Sequence, residues 1–208
     1  MKESVSEDAA HRALARPDAD RRAVTATISV GMAIALGALA MTFASVLLAY
    51  AIIRVQALAW PPPGERGPPP LWPWPIAATV AALAGSVAME RARRMIERSD
   101  GFATQAFSRA LLAALTGGIA FIGIQACGWI WLTKTGVGPD AGLVASVIYA
   151  LTIFHALHAV AGVILLVPLL VRATHRGWIR PSSVAAVAAF WRLVTAAWIV
   201  VFFAVFVV

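Results

Sequence analysis

Charge is scarce in this 208-residue chain. Asp, Glu, Lys and Arg make up 13% of it, about half the share found in an ordinary soluble domain. Hydrophobic residues fill 61%, and the mean hydropathy is +0.81. A chain so short of polar groups cannot cover its surface in water, so lipid must be its solvent. Cysteine is nearly absent. The one thiol, Cys127, lies in an apolar run, which excludes an internal disulfide and any Cys-x-x-Cys metal pattern; it is expected to be a buried, inert thiol. No apolar stretch resembling a secretory signal occurs in residues 1–23, which read as a retained polar tail. There is no Walker motif, no dinucleotide fingerprint and no nucleophile beside a base in a recognisable frame. That argues against an enzyme acting alone.

What the chain does have is long apolar runs. A membrane helix needs roughly 20 such residues. No charge interrupts Ala23 to Ile53, Gly67 to Met89, Ala110 to Thr133 or Ala141 to Val171, and a fifth run, Val184 to Val208, carries only Arg192. Pro68 to Pro70, Pro73 and Pro75 delay the second helix to about Pro75, because proline breaks a helix interior. The runs are too long for strands and lack the two-residue alternation of a membrane barrel. The expected fold is therefore all-α: a tail at 1–23, then a membrane domain at 24–208 with spans near 24–53, 75–94, 110–133, 141–171 and 184–208. The segment Pro61 to Pro75 holds eight of the 12 prolines and is expected to form a stiff, extended loop.

The 17 Lys and Arg outnumber the 10 Asp and Glu, giving a formal charge of +7. These charges sit in short stretches between apolar runs, so they point to membrane orientation and not to a nucleic-acid partner. Lys2, Arg12, Arg16, Arg21, Arg22, Arg91, Arg93, Arg94, Arg98, Arg109, Arg172, Arg176 and Arg180 fall on one side; only Arg54, Arg66 and Lys134 fall on the other. Cationic loops stay in the cytoplasm. The N-terminus is therefore expected inside and the C-terminus outside. Trp60, Trp72, Trp74, Trp129 and Trp131 then share the outer interface, where indoles are favoured.

Polar residues within the spans are functional candidates, because burying them in lipid is costly. His155 and His158 are three residues apart and share a helix face. A metal centre needs three or four ligands, so paired neutral histidines contacting neighbouring helices or a lipid head group are the expectation. Gln125 and Trp129, one turn apart, suit contacts between helices, with a place in a proton or substrate path as the alternative. Arg192, beside Trp191, is placed to snorkel toward the inner surface or reach a lipid phosphate; contact with a partner subunit is the alternative. Glu90 heads the run Glu90-Arg91-Ala92-Arg93-Arg94 and is spaced to pair with Arg93 or Arg94.

These residues resemble a known family. Phe154-His155-Ala156-Leu157-His158-Ala159-Val160-Ala161-Gly162 is similar to the signature of haem–copper oxidase subunit III. Gly118, Phe121, Gln125 and Trp129 match that family's Gly-x-x-Phe-x-x-x-Gln-x-x-x-Trp spacing. Trp191-Arg192-Leu193-Val194-Thr195-Ala196-Ala197-Trp198 resembles its C-terminal Trp-His-Phe-Val-Asp-x-x-Trp segment. Ala49-Tyr50, Trp60-Pro61-Pro62, Thr79 and Ser86 add further matches, so the resemblance runs from about Ile28 to the end. The departures are specific: Ala38-Leu39 stands where the family has Ser-Glu, Gly85-Ser86 where it has two serines, Arg192 where it has His, and Thr195 where it has Asp. The missing carboxylate weakens any role in proton uptake.

The resemblance implies a five-span, non-catalytic accessory subunit of a bacterial respiratory terminal oxidase, set in the cytoplasmic membrane. It would pack on catalytic subunit I beside other respiratory subunits and hold phospholipid. Haem and copper would reside in the partner subunits and not in this chain. His155, His158, Gln125, Trp129, Arg192 and Trp191 would make buried polar or lipid contacts. The rival expectations are an accessory subunit of a nitric-oxide reductase, a small membrane transporter, and a stand-alone metal enzyme built on the two histidines.

Overall fold

The computed structural model describes residues 30–65, 73–175 and 177–207, and these form helices joined by short connections. They are α1 (Val30–Gln56), α2 (Pro73–Arg98), α3 (Gln105–Lys134), α4 (Leu143–His175) and α5 (Pro181–Phe202), which passes into a π-helical turn at Phe203–Val207. No strand occurs among the described residues; Phe102 and Trp178 form an isolated antiparallel bridge. By contact, Leu39–Val208 forms one compact unit. The expected tail at 1–23, the start of the first span and Trp72 lie outside the described residues, as does most of the proline-rich segment.

Local chemistry explains where the helices begin and end. Pro73 and Pro75 lie in the first turn of α2, so the helix starts earlier than the proline argument predicted. The correction has a simple cause: first-turn N–H groups have no partner within the helix, so proline loses nothing there. Pro181 opens α5 in the same way. Thr104 caps α3 by accepting from the N–H of Phe107 at 3.2 Å.

Among the described residues, four helices are long and apolar enough to cross a membrane: Val30–Gln56, Gln105–Lys134, Leu143–His175 and the continuous stretch Pro181–Val207. At 1.5 Å per residue, each exceeds the roughly 30 Å hydrocarbon thickness. The helices Gln105–Lys134, Leu143–His175 and Pro181–Val207 are each a few residues longer than the spans expected there. Helix α2 differs, because it is apolar from Pro73 to Met89 and charged from Glu90 onward.

Lipid supplies no hydrophobic drive between helices, so close packing and hydrogen bonds must hold the bundle. Helices α2 and α3 meet backbone to backbone: a Cβ on Gly117 would lie 2.7 Å from the Gly85 Cα. At the end of the bundle where α2 becomes charged, Met89, Ala92, Ile96, Phe107 and Leu111 form a core with Leu166, Val184 and Trp191. A second core toward the other end gathers Phe121, Leu132, Ile148, Tyr149, Trp198 and Val201. The connections α2–α3 and α4–α5 are stapled together. Ala103 N–H donates to the Gly177 carbonyl at 2.7 Å, Ile179 N–H to the Gly101 carbonyl at 2.8 Å, and the Trp178 indole to the Asp100 carbonyl at 3.2 Å. From Leu39 onward α1 is the least covered helix. Phe43 and Tyr50 are buried, whereas Met41, Leu48 and Val55 stay more than half exposed.

Candidate functional site

The motif residues of three helices converge on one interior. Phe121 of α3, His155 of α4 and Trp198 of α5 form a closed trio of rings, with centroid separations of 5.3, 5.0 and 5.2 Å. They meet because each helix contributes a position on its inward face. His155 is 1% exposed and Trp198 fully buried. The Trp198 indole crosses to α2, donating to the Thr79 hydroxyl at 2.9 Å; that hydroxyl donates to its own helix at the Pro75 carbonyl.

Two turns along α3 from Phe121, the Trp129 indole donates to the Thr152 hydroxyl of α4 at 3.0 Å. Trp191 of α5 reaches the opposite way. Its indole donates to the Gly162 carbonyl at 3.3 Å, and its ring fills the space where Gly118 and Gly162 lack side chains. Gln125 is fully buried, and among the described residues neither end of its amide has a hydrogen-bond partner.

The two histidines share a face but not an environment. The His158 Nδ1 lies 2.8 Å from the Phe154 carbonyl, which can only accept, so Nδ1 carries the proton. Its ring packs on Phe43 of α1 and on Phe154. His155 turns inward to Phe121 and Trp198, and its Nδ1 has no partner among the described residues. No group of three or more His, Cys, Asp or Glu among the described residues is placed to hold a metal ion.

Arg192 lies outside this centre. It is exposed on α5, with its Nη1 3.7 Å from Glu90 Oε2 of α2. Glu90 also pairs with Arg93 at 2.6 Å and with Arg94 at 3.1 Å, so the acid expected to serve its own helix reaches a second one. Cys127 is a correction: the structure leaves it exposed. Two helical steps separate it from inward-facing Gln125, which places it on the far side of α3.

Two polar ties at the other end of the bundle were not anticipated. Tyr50 and Arg54 of α1 both donate to the Ala204 carbonyl, at 2.8 and 3.2 Å, within the π-helical turn. That turn leaves a carbonyl open to α1, and the Arg54 guanidinium stacks over Tyr50 and Trp60. The second tie is Glu65, whose carboxylate accepts from the N–H of Val144 at 2.9 Å, at the start of α4. Backbone N–H groups of Val144 and Leu143 hold this carboxyl below its ordinary pKa. Gly142 makes room: its φ is +139°, and a Cβ there would lie 2.6 Å from the Glu65 carboxyl carbon. An acid in a loop ahead of a glycine that precedes a helix was the signal available in the sequence.

Comparison with known proteins identifies the family. The family model for cytochrome c oxidase subunit III matches residues 11–208. The chain is similar to the "Cytochrome c oxidase subunit 3" of Synechocystis, with 30% identity over 85% of this chain and 73% of the relative. It is also similar to the "Probable cytochrome c oxidase subunit 3" of Nocardia farcinica, with 29% identity over 87% of this chain and 88% of the relative. A third match is the "Heme-copper oxidase subunit I+III" of Aeropyrum pernix, 29% identical over 77% of this chain but only 20% of that longer protein. With the matched motif residues gathered on one helical interior, the chain belongs to the cytochrome c oxidase subunit III family, as an integral membrane, accessory component of the haem–copper oxidases.

Proposed function

We propose that this chain crosses a bacterial inner membrane five times, with its N-terminus cytoplasmic and its C-terminus periplasmic, and braces catalytic subunit I of a respiratory terminal oxidase. The observation that carries the reading is the family match across residues 11–208. The Aeropyrum protein, named for subunits I and III in one chain, supports subunit I as the neighbour. Neither the nitric-oxide reductase reading nor the transporter reading is favoured by the relatives' names.

A fifth crossing by α2 is supported by its packing. Ala78, Met89, Ala92 and Ile96 are buried within the bundle, and Gly85 lies against α3. Its charged end would then stand in the inner head-group layer, where Glu90 and Arg192 meet. Haem and copper are assigned to the partner subunits, where they supply the redox chemistry. This chain contributes a rigid helical surface and retains phospholipid, with His158 and Arg192 as its polar contacts to lipid.

The test is purification from native membrane in mild detergent, with an optical spectrum and identification of the co-purifying chains. Haem bands, a large multi-span partner and oxygen consumption are expected. A colourless, solitary protein would overturn the proposal, and nitric oxide consumption would reassign the complex.

A further inference from the structure

Gln125 and His155 carry three buried polar atoms with no hydrogen-bond partner among the described residues: both ends of the Gln125 amide and the His155 Nδ1. Their residues are 0% and 1% exposed. Trp191, Trp198, Trp129 and Thr152, in the same interior, all have partners. Three of the four such atoms among the described residues therefore lie on these two side chains; the fourth is the Trp74 indole nitrogen of α2.

Two contacts set the levels of the two residues along α3 and α4. Phe121 of α3 meets His155 of α4, ring to ring at 5.3 Å. Two turns further along α3, Trp129 bonds Thr152, which precedes His155 on α4 by one turn. Gln125 lies midway between Phe121 and Trp129. Its level on α3 thus falls between Thr152 and His155 on the facing, antiparallel helix. The His155 ring is held by Phe121, Trp198 and Phe43, so it cannot swing out to find another partner.

We infer that a water molecule binds between the Gln125 amide and the His155 Nδ1, bridging α3 and α4. Water suits this site because it both donates and accepts. It can serve the amide's NH₂ and its oxygen, and it can bond Nδ1 in either tautomer. Buried waters characteristically take two to four hydrogen bonds from groups that would otherwise be unsatisfied. Leaving a buried donor or acceptor bare costs more than immobilising one water. The inference is independent of the complex's substrate, because both partners belong to this chain.

A high-resolution map of the intact native complex tests it directly. Solvent density is expected about 2.6–3.2 Å from both the Gln125 amide and the His155 Nδ1. Direct bonding between the two side chains, or bonding of each to main chain with no solvent peak, would overturn it. Gln125→Leu, His155→Phe and the double variant give a second readout. Each single change is expected to lower the thermal midpoint by roughly 2–6 °C, and the double change no further than the worse single. Additive losses would show that the two groups share no ligand. If the variants do not assemble, the native map decides alone.

Discussion

Trp191 of α5 occupies the space that Gly118 of α3 leaves open: a Cβ on Gly118 would lie 2.5 Å from the Trp191 Cη2. The two residues are far apart in sequence, yet each is the other's reason for being there. The glycine admits the ring. The ring then donates from its indole to Gly162 on α4, so one side chain joins three helices.

Gly118→Ala is therefore expected to destabilise the bundle by about 1–3 kcal/mol, the usual range for overpacking a tight interior. Gly118→Leu should prevent assembly. Gly123→Ala makes the control, since a Cβ there meets nothing within 4 Å. Thermal unfolding of the purified complex provides the check; equal midpoints for the variants at positions 118 and 123 would contradict the packing.

The bond from Trp198 to Thr79 should behave as a hydrogen bond between helices in lipid. Trp198→Phe, Thr79→Val and their combination form a double-mutant cycle. A coupling of about 0.6–2 kcal/mol is expected. A coupling near zero would mean that the rings alone hold α5 in place.

Glu65 predicts a pH effect of definite sign. Its carboxyl is more acidic when folded than when unfolded, because Val144 and Leu143 donate to the ionised form. Its contribution is therefore complete above the ordinary carboxylate pKa of 4.5, and it falls away as the pH drops through the lower, folded value. The gap in thermal midpoint between the native protein and Glu65→Gln should be constant from pH 6 to 8 and close in acid. A gap that widened in acid would refute the assignment.

Arg192→Gln should change the stability of this chain little. The pair with Glu90 is 3.7 Å long, its guanidinium side is 56% exposed, and Glu90 has Arg93 and Arg94 besides. Exposed pairs contribute about 0–1 kcal/mol. Unfolding of the isolated chain and recovery of the complex should be measured together. Loss of the complex with an intact chain would place Arg192 at a partner surface.

Hydropathy located the long apolar helices, though not where α2 begins, because lipid demands long, internally hydrogen-bonded segments and tolerates few charges. Spacing within one helix was equally readable. Gln125 and Trp129 share a face, and Glu90 lies within reach of Arg93 and Arg94, because helical periodicity is local. The limit came at contacts between helices. Nothing in the spacing of Glu90 and Arg192 announces that they meet. Nor does the sequence disclose that Arg54 reaches the Ala204 carbonyl, or that Cys127 faces outward while Gln125 faces in. Those outcomes depend on the rotation and register of one helix against another. Register is decided by where glycine lets two backbones approach, as at Gly85 and Gly117, and by which ring fills the gap, as Trp191 does at Gly118. The sequence determined that this chain is built from long apolar helices and which residues share a face on each. The tertiary structure decided which of those faces touch, because close packing is a property of pairs of helices and not of any one of them.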